Sequence, residues 1–307
     1  MYMKKFILPL FAVTLLTACS QSETEGENPN TPVPILLNSG IEATTRAAIA
    51  SGGSATVSIG IWEKNGAVDY AATPTYTPTA SVASTSEAAA AITLSPLCYY
   101  NPDDNIKSNI KGWYPAGTLS SGIVTLNNTD GQTDALLSNA VSGSKYGAIS
   151  DALVFEHKTA QLNFKIVKGT GMATGTQIKS IKVTGSHLPT GLNLTKEPTA
   201  ADAVTWTAKD ALPVPNLIQT AIPNEAAAIG DPVMIKPVDD NTTVKLTIVT
   251  AVGSAEATFT DMTFSTQNSK IEVGKAYTIT LTFTQAGISL TAKITPWATA
   301  TGSGTVL

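Results

Sequence analysis

The sequence predicts an all-β protein with room for two bodies. Three observations carry that reading. Short runs alternate apolar and polar residues with a period of two, the mark of a strand with one buried face. Gly, Asn, Asp and Pro separate those runs at a spacing of roughly 8–15 residues. The composition, 43% hydrophobic and only 14% charged over 307 residues, lacks the long Glu/Lys-rich amphipathic runs that helices need. That length accommodates two domains of ordinary size.

The first body is expected over residues 33–150. It opens with a strand over 33–39, in which Val33, Ile35 and Leu37 share one side; Ile41 follows a Ser-Gly break. In TVSIGIWE (56–63), Val57, Ile59 and Ile61 alternate with Ser58 and Gly60, and Asn65-Gly66 predicts a hairpin turn into AVDY (67–70). Residues 71–85 read as a loop with an edge strand. SEAAAAI (86–92) reads as two helical turns capped by Ser84 or Ser86. ITLSPLCYY (92–100) and IKGWYP (110–115) read as strands, and 122–150 as short strands between turns. In NPDDN (101–105) the acids are adjacent in sequence and cannot all face one cation, so it reads as a solvated turn.

The second body is expected over 151–307. In DALVFEHKTAQLNFKI (151–166), Ala160, Leu162, Phe164 and Ile166 alternate with Gln161, Asn163 and Lys165. Phe155 and His157 have the opposite parity, which places a bend or bulge near Lys158-Thr159. Strands are predicted at 178–185, 191–194, 203–207, 232–237, 243–250, 255–264, 276–283 and 289–297. PNEAAAIG (223–230) is predicted as a short helix stopped by Gly230.

The N-terminus reads as an address. Lys4 and Lys5 precede an apolar run over 6–18, too short for the roughly 20 helical residues that span a bilayer. Residues 1–18 therefore fit a signal peptide. The run ends in Leu16-Thr17-Ala18-Cys19, which resembles the bacterial lipobox, in which the cysteine becomes the lipid-bearing first residue. Residues 19–32 are polar and acidic and read as a flexible tether.

Arg46 is the single arginine; the other basic residues are lysines. An arginine-specific protease would have one site, just beyond the first strand. Cutting there would free a strand and leave an apolar slot with unpaired backbone groups, which invites a strand from another chain. An ordinary loop cation is the competing reading.

Several function classes are excluded. A net charge of −4 without a basic block gives no footprint for nucleic acid. The two histidines, His157 and His187, and the two cysteines, Cys19 and Cys98, make no zinc motif; no cofactor is expected. No nucleophile elbow, phosphate loop or dinucleotide fingerprint occurs, so the chain does not read as an enzyme. With Cys19 lipidated, Cys98 has no partner and reads as a buried thiol. Trp62, Trp113, Trp206 and Trp297 sit at strand spacing, which favours core over sugar stacking.

Four stretches resemble the fimbrillin-like lipoproteins of Bacteroidetes. DALVFEHKTAQLNFKI is similar to their D-x-L-x-x-x-H-x-x-A-x-L-x-F-x-I signature, and IKGWYP to their tyrosine-proline strand end. VGKAYTITLTFTQAGISLTAKITPW resembles their closing hairpin, and the IEATTRA start fits as well. The resemblance implies two tandem transthyretin-like β-sandwiches and export to the outer membrane surface, with Cys19 as lipid anchor. It implies proteolysis between Arg46 and Ala47 and loss of the strand holding Val33, Ile35 and Leu37. The terminal strand of a neighbouring pilin would then fill the groove, building an adhesive fimbria. The tail after Trp297 is mostly small residues, so either the donor includes 288–297 or the protein is an accessory subunit that does not donate. The alternative is a surface glycan-binding lipoprotein of a polysaccharide uptake system.

Overall fold

Strand follows strand through the whole of the computed structural model, which describes residues 31–41, 53–84, 89–266 and 268–295. The chain divides into two compact units, Met1–Thr31 and Pro32–Leu307. All the described strands belong to the second.

In chain order the first strands are β1 (Leu37–Ile41), β2 (Ser54–Lys64), β3 (Thr79–Ala83), β4 (Ala90–Ile92) and β5 (Lys107–Tyr114). Then come β6 (Thr118–Ser120), β7 (Ile123–Thr125), β8 (Leu136–Ser138), β9 (Val141–Gly143) and β10 (Leu153–His157). They are followed by β11 (Ala160–Lys168), β12 (Thr176–Thr184), β13 (Ser186–Asn193), β14 (Val204–Lys209), β15 (Leu212–Pro213) and β16 (Thr220–Ala221). The last are β17 (Ala227–Ala228), β18 (Val233–Ile235), β19 (Lys245–Val252), β20 (Ala255–Met262), β21 (Ala276–Thr284) and β22 (Gly287–Thr295). Helical structure among the described residues is a single 3-10 turn, Asn241–Thr243, capped by the Asp240 side chain.

Four sheets result. The first has the order β3-β2-β5-β8-β10-β1-β4, with β9 also on β5. Its ends meet: Thr79 and Ser95 exchange backbone hydrogen bonds of 2.9 and 2.8 Å, so the sheet wraps around its own core. That core holds Ile35, Leu37, Ile41, Val57, Ile59, Ile61, Ile110, Leu153 and Phe155. On the opposite face, Trp62, Trp113 and Leu137 pack against Val124 and Leu192 of the short sheet β14-β13-β7-β6 and against Leu194 just beyond β13. The remaining sheets, β17-β11-β21-β22 and β15-β12-β19-β20, enclose the largest core. There the period of two is plain: Tyr277, Ile279, Leu281 and Phe283 are buried while Thr278, Thr280 and Thr282 alternate with them.

The parity change at Lys158-Thr159 is where the chain passes from one sheet to another. β10 ends at His157 in the wrapped sheet, and β11 begins at Ala160 in a different one. The strand over 153–157, expected in the second body, therefore lies in the same sheet as β1.

Several local expectations fail, three of them for reasons plain in the pairing. Ala90–Ile92 is a strand on β1, not part of a helix; residues 86–88 of that expected helix lie outside the described residues. Ala227–Ala228 pairs with β11, so the short helix over 223–230 is also absent. Both runs are too short to nucleate a helix on alanine propensity alone, and a neighbouring edge offers backbone partners. Gly66 does adopt the left-handed conformation (φ +86°), yet 67–70 forms no strand. The chain instead loops back so that Ala72 accepts a 2.7 Å hydrogen bond from the Trp62 indole, and Tyr76 bridges Ile61.

Candidate functional site

The segment 33–41 is one continuous extended run. Pro34 bridges Tyr99, the Ile35 N–H donates to Cys98 O at 2.9 Å, and the Tyr100 N–H donates to Val33 O at 2.9 Å. β1 proper then pairs on both sides. It runs parallel to β10 (Ser39 beside Leu153, Ile41 beside Phe155) and antiparallel to β4 (Leu37 beside Ile92, Ser39 beside Ala90). The expected break at Ser39-Gly40 does not occur, because Gly40 keeps an extended backbone inside the strand.

Ile35, Leu37 and Ile41 are only 1%, 3% and 2% exposed, while Val33 is half-buried at the entry. Ser39 takes the remaining inward position and is equally enclosed; its hydroxyl donates to Leu153 O at 2.7 Å. On the outer face Leu36 is 70% exposed. The segment is thus a plug: four inward side chains in a core, flanked by backbone partners on two sides. Cys19, Arg46 and Ala47 lie outside the described residues.

Cys98 packs in the same cluster as Ile35. Burial first, then the charge of Glu63, pushes its thiol pKa up. The thiol is 5% exposed, in the cluster to which the plug contributes Ile35, Leu37 and Ile41.

Two other sets of polar groups are buried. Lys111 is fully enclosed; its Nζ donates to Leu194 O at 3.1 Å and Lys196 O at 2.7 Å and faces the Tyr70 ring. Burial lowers its pKa, with Glu197 opposing, and burial plus Glu197 pushes the Tyr70 hydroxyl up to about 12. His157 Nδ1 meets Asp134 Oδ2 at 2.5 Å, both buried, and Asp134 Oδ1 accepts from the Ala135 N–H at 2.7 Å and from the Thr159 hydroxyl. His157 is thus hydrogen-bonded at the end of the wrapped sheet. Among the described residues no group of three His, Cys, Asp or Glu is placed to hold a metal. None of the described helices is long and apolar enough to cross a membrane. Trp62 and Trp113 are core residues; Trp206 is half-buried and lines a cleft with Lys236 and Pro198.

One signal was present in the sequence and is recognised only with both strands in view. The plug reads Ile35-x-Leu37-x-Ser39-x-Ile41. β22 reads Ile288-x-Leu290-x-Ala292-x-Ile294, the same order of large and small side chains. Among the described residues β22 pairs with β21 alone, and its four inward residues are half-buried.

Comparison with known proteins agrees with this architecture. A protein of Bacteroides uniformis named as a candidate fimbrium subunit, Fim1C, is 26% identical over 315 residues, which cover 98% of each chain. The crystal structure of a candidate cell adhesion protein from Bacteroides uniformis superposes with a TM-score of 0.54 at 19% identity, covering 86% of this chain and 99% of that one. One from Bacteroides ovatus gives 0.50 at 17%, covering 88% and 99%. At those identities the likeness speaks for the fold alone. Residues 45–297 match the fimbrillin-like family, and the chain belongs to it.

Proposed function

We propose that this protein is a pilus subunit precursor, anchored to the outer membrane by a lipid on Cys19, with residues 1–18 as signal peptide and 19–32 as tether. An arginine-specific protease cuts between Arg46 and Ala47. The strand holding Val33, Ile35 and Leu37 then departs, and the terminal strand of a neighbouring subunit replaces it. Repetition builds an extracellular adhesive fimbria.

The observation that carries this reading is the place of β1 within its sheet, between β10 and β4, on a segment that precedes the single arginine. Burial of Ile35, Leu37 and Ile41, at roughly 1.5–3 kcal/mol each, is worth about 5–9 kcal/mol. Ladder hydrogen bonds add ~0.5–1.5 kcal/mol apiece. A slot of that value is best remedied by another strand, and head-to-tail joining without closure gives filaments. The glycan-binding alternative needs exposed coplanar aromatics; Trp62 and Trp113 are buried, Trp206 is half-buried, Tyr76, Tyr99 and Tyr146 are exposed, and Trp297 lies outside the described residues.

Cys98 supplies the test. The lipid-free Cys19→Ser precursor is treated with an arginine-specific protease, and maleimide labelling and oligomeric state are followed. The expected result is a chain starting at Ala47, a newly reactive Cys98 and self-association, all absent in Arg46→Ala. Clean cutting that leaves Cys98 inert and the protein monomeric would overturn the proposal.

A further inference from the structure

The duplicated order of side chains specifies more than a strand-shaped slot. Resting on the removable-plug reading above, we infer that the slot is read in a single register by Ile288–Ile294 of a second copy of this chain. The position vacated by Ser39 selects that register by admitting only a small side chain.

Each position can be compared in turn. Ile288, Leu290 and Ile294 take the places of Ile35, Leu37 and Ile41, identical in type at every one. Ala292 takes the place of Ser39. That place is enclosed, with the Ser39 hydroxyl within hydrogen-bond distance of Leu153 O, so a Leu or Ile there would have to push into a packed core. Outward, Ser289 and Thr291 replace the exposed Leu36 and Asn38, exchanging an exposed leucine for polar groups. Lys293 replaces Gly40. That glycine does not use the left-handed region, and a Cβ built on it would lie 3.6 Å from the nearest atom, in Ala89, which is ordinary contact. The seven residues therefore fit without a forbidden position. Sliding the strand by two residues puts Leu290 or Ile294 into the small site, and sliding by one turns the apolar face outward.

A driving force accompanies the fit. In their own sheet, at an edge, the inward residues of β22 are half-buried; those of the plug are buried almost completely. Moving the same side chain types from the first setting to the second buries them more fully, a gain set against the loss of the nine-position ladder with β21 and of their packing on the largest core.

The experiment uses the cut Cys19→Ser protein and synthetic peptides of residues 287–295. The native peptide is expected to restore protection of Cys98 and to suppress self-association. An Ala292→Leu peptide is expected to bind roughly tenfold more weakly or worse, the scale of overpacking a closed core. A peptide of unchanged composition with Leu290→Ala and Ala292→Leu is expected to protect less than the native one, because it satisfies the small site only after a two-residue slip that leaves the place of Ile35 empty. An Ala292→Ser peptide should bind at least as well as the native one, since it returns a donor to Leu153 O. Equal protection by the Ala292→Leu and native peptides would overturn the small-site selection. Failure of the native peptide to protect a Cys98 that cutting has exposed would overturn the assignment of the partner. Cys98 remaining inert after cutting would instead overturn the removable plug itself, and this proposal with it.

Discussion

Two strands of this protein carry the same order of side chains and live differently. Ile35–Ile41 lies between two neighbours, with its inward residues sealed in a core. Ile288–Ile294 lies at the edge of a sheet on one neighbour, with its inward residues half-covered. The difference shows that apolar alternation specifies a face and a register, while the surroundings decide how much that face is worth.

The comparison can be broken most severely at Leu37 and Leu290, which hold equivalent places. Leu37→Ala is expected to destabilise the wrapped sheet by about 2–5 kcal/mol, the range for a buried leucine. Urea unfolding read by labelling of Cys98 measures it. Leu290→Ala, half-exposed, should cost clearly less, about 1–2 kcal/mol by the apolar area it loses, read by unfolding of the larger core. Equal costs would abolish the distinction between sealed and edge strands. A smaller effect sharpens it: Ser39→Ala makes the plug resemble β22 and should cost about 1 kcal/mol, the value of one hydrogen bond to Leu153 O. The smallest effect belongs to Leu36→Ser on the outer face. Stability should stay within about 0.5 kcal/mol, while light scattering of concentrated protein should fall as an exposed apolar side chain is removed.

Much of the fold was legible because alternation survives wherever one face is buried. The run from Ala160 to Ile166 gave strand and face together, and Tyr277 to Phe283 lay within an expected strand. The opposite parity of Phe155 and His157 announced a change at Lys158-Thr159. That this change is a passage between sheets was hidden, because parity marks a turn of the face and not its new partner. The alanine runs misled, since alanine is at home in helices yet yields to a sheet edge that completes its backbone bonds. Asn65-Gly66 signalled a turn correctly; the Trp62–Ala72 bond, a tertiary contact, decided what followed it. At the site, the inward face of the opening strand could be read from period two, whereas its two-sided pairing could not, because β10 and β4 are brought to it from far along the chain. The likeness of 35–41 to 288–294 lay open in the letters, and its meaning depended on seeing one strand enclosed and the other at an edge.

The position of β1 between β10 and β4 has a mechanical consequence. A ribbon held along both margins and pulled lengthwise loads all of its rungs together, whereas one peeled from a free margin gives way rung by rung. Any segment seated there resists axial traction by the combined strength of both ladders. The same seat that makes a plug slow to slip out would make a fibre joint hard to tear.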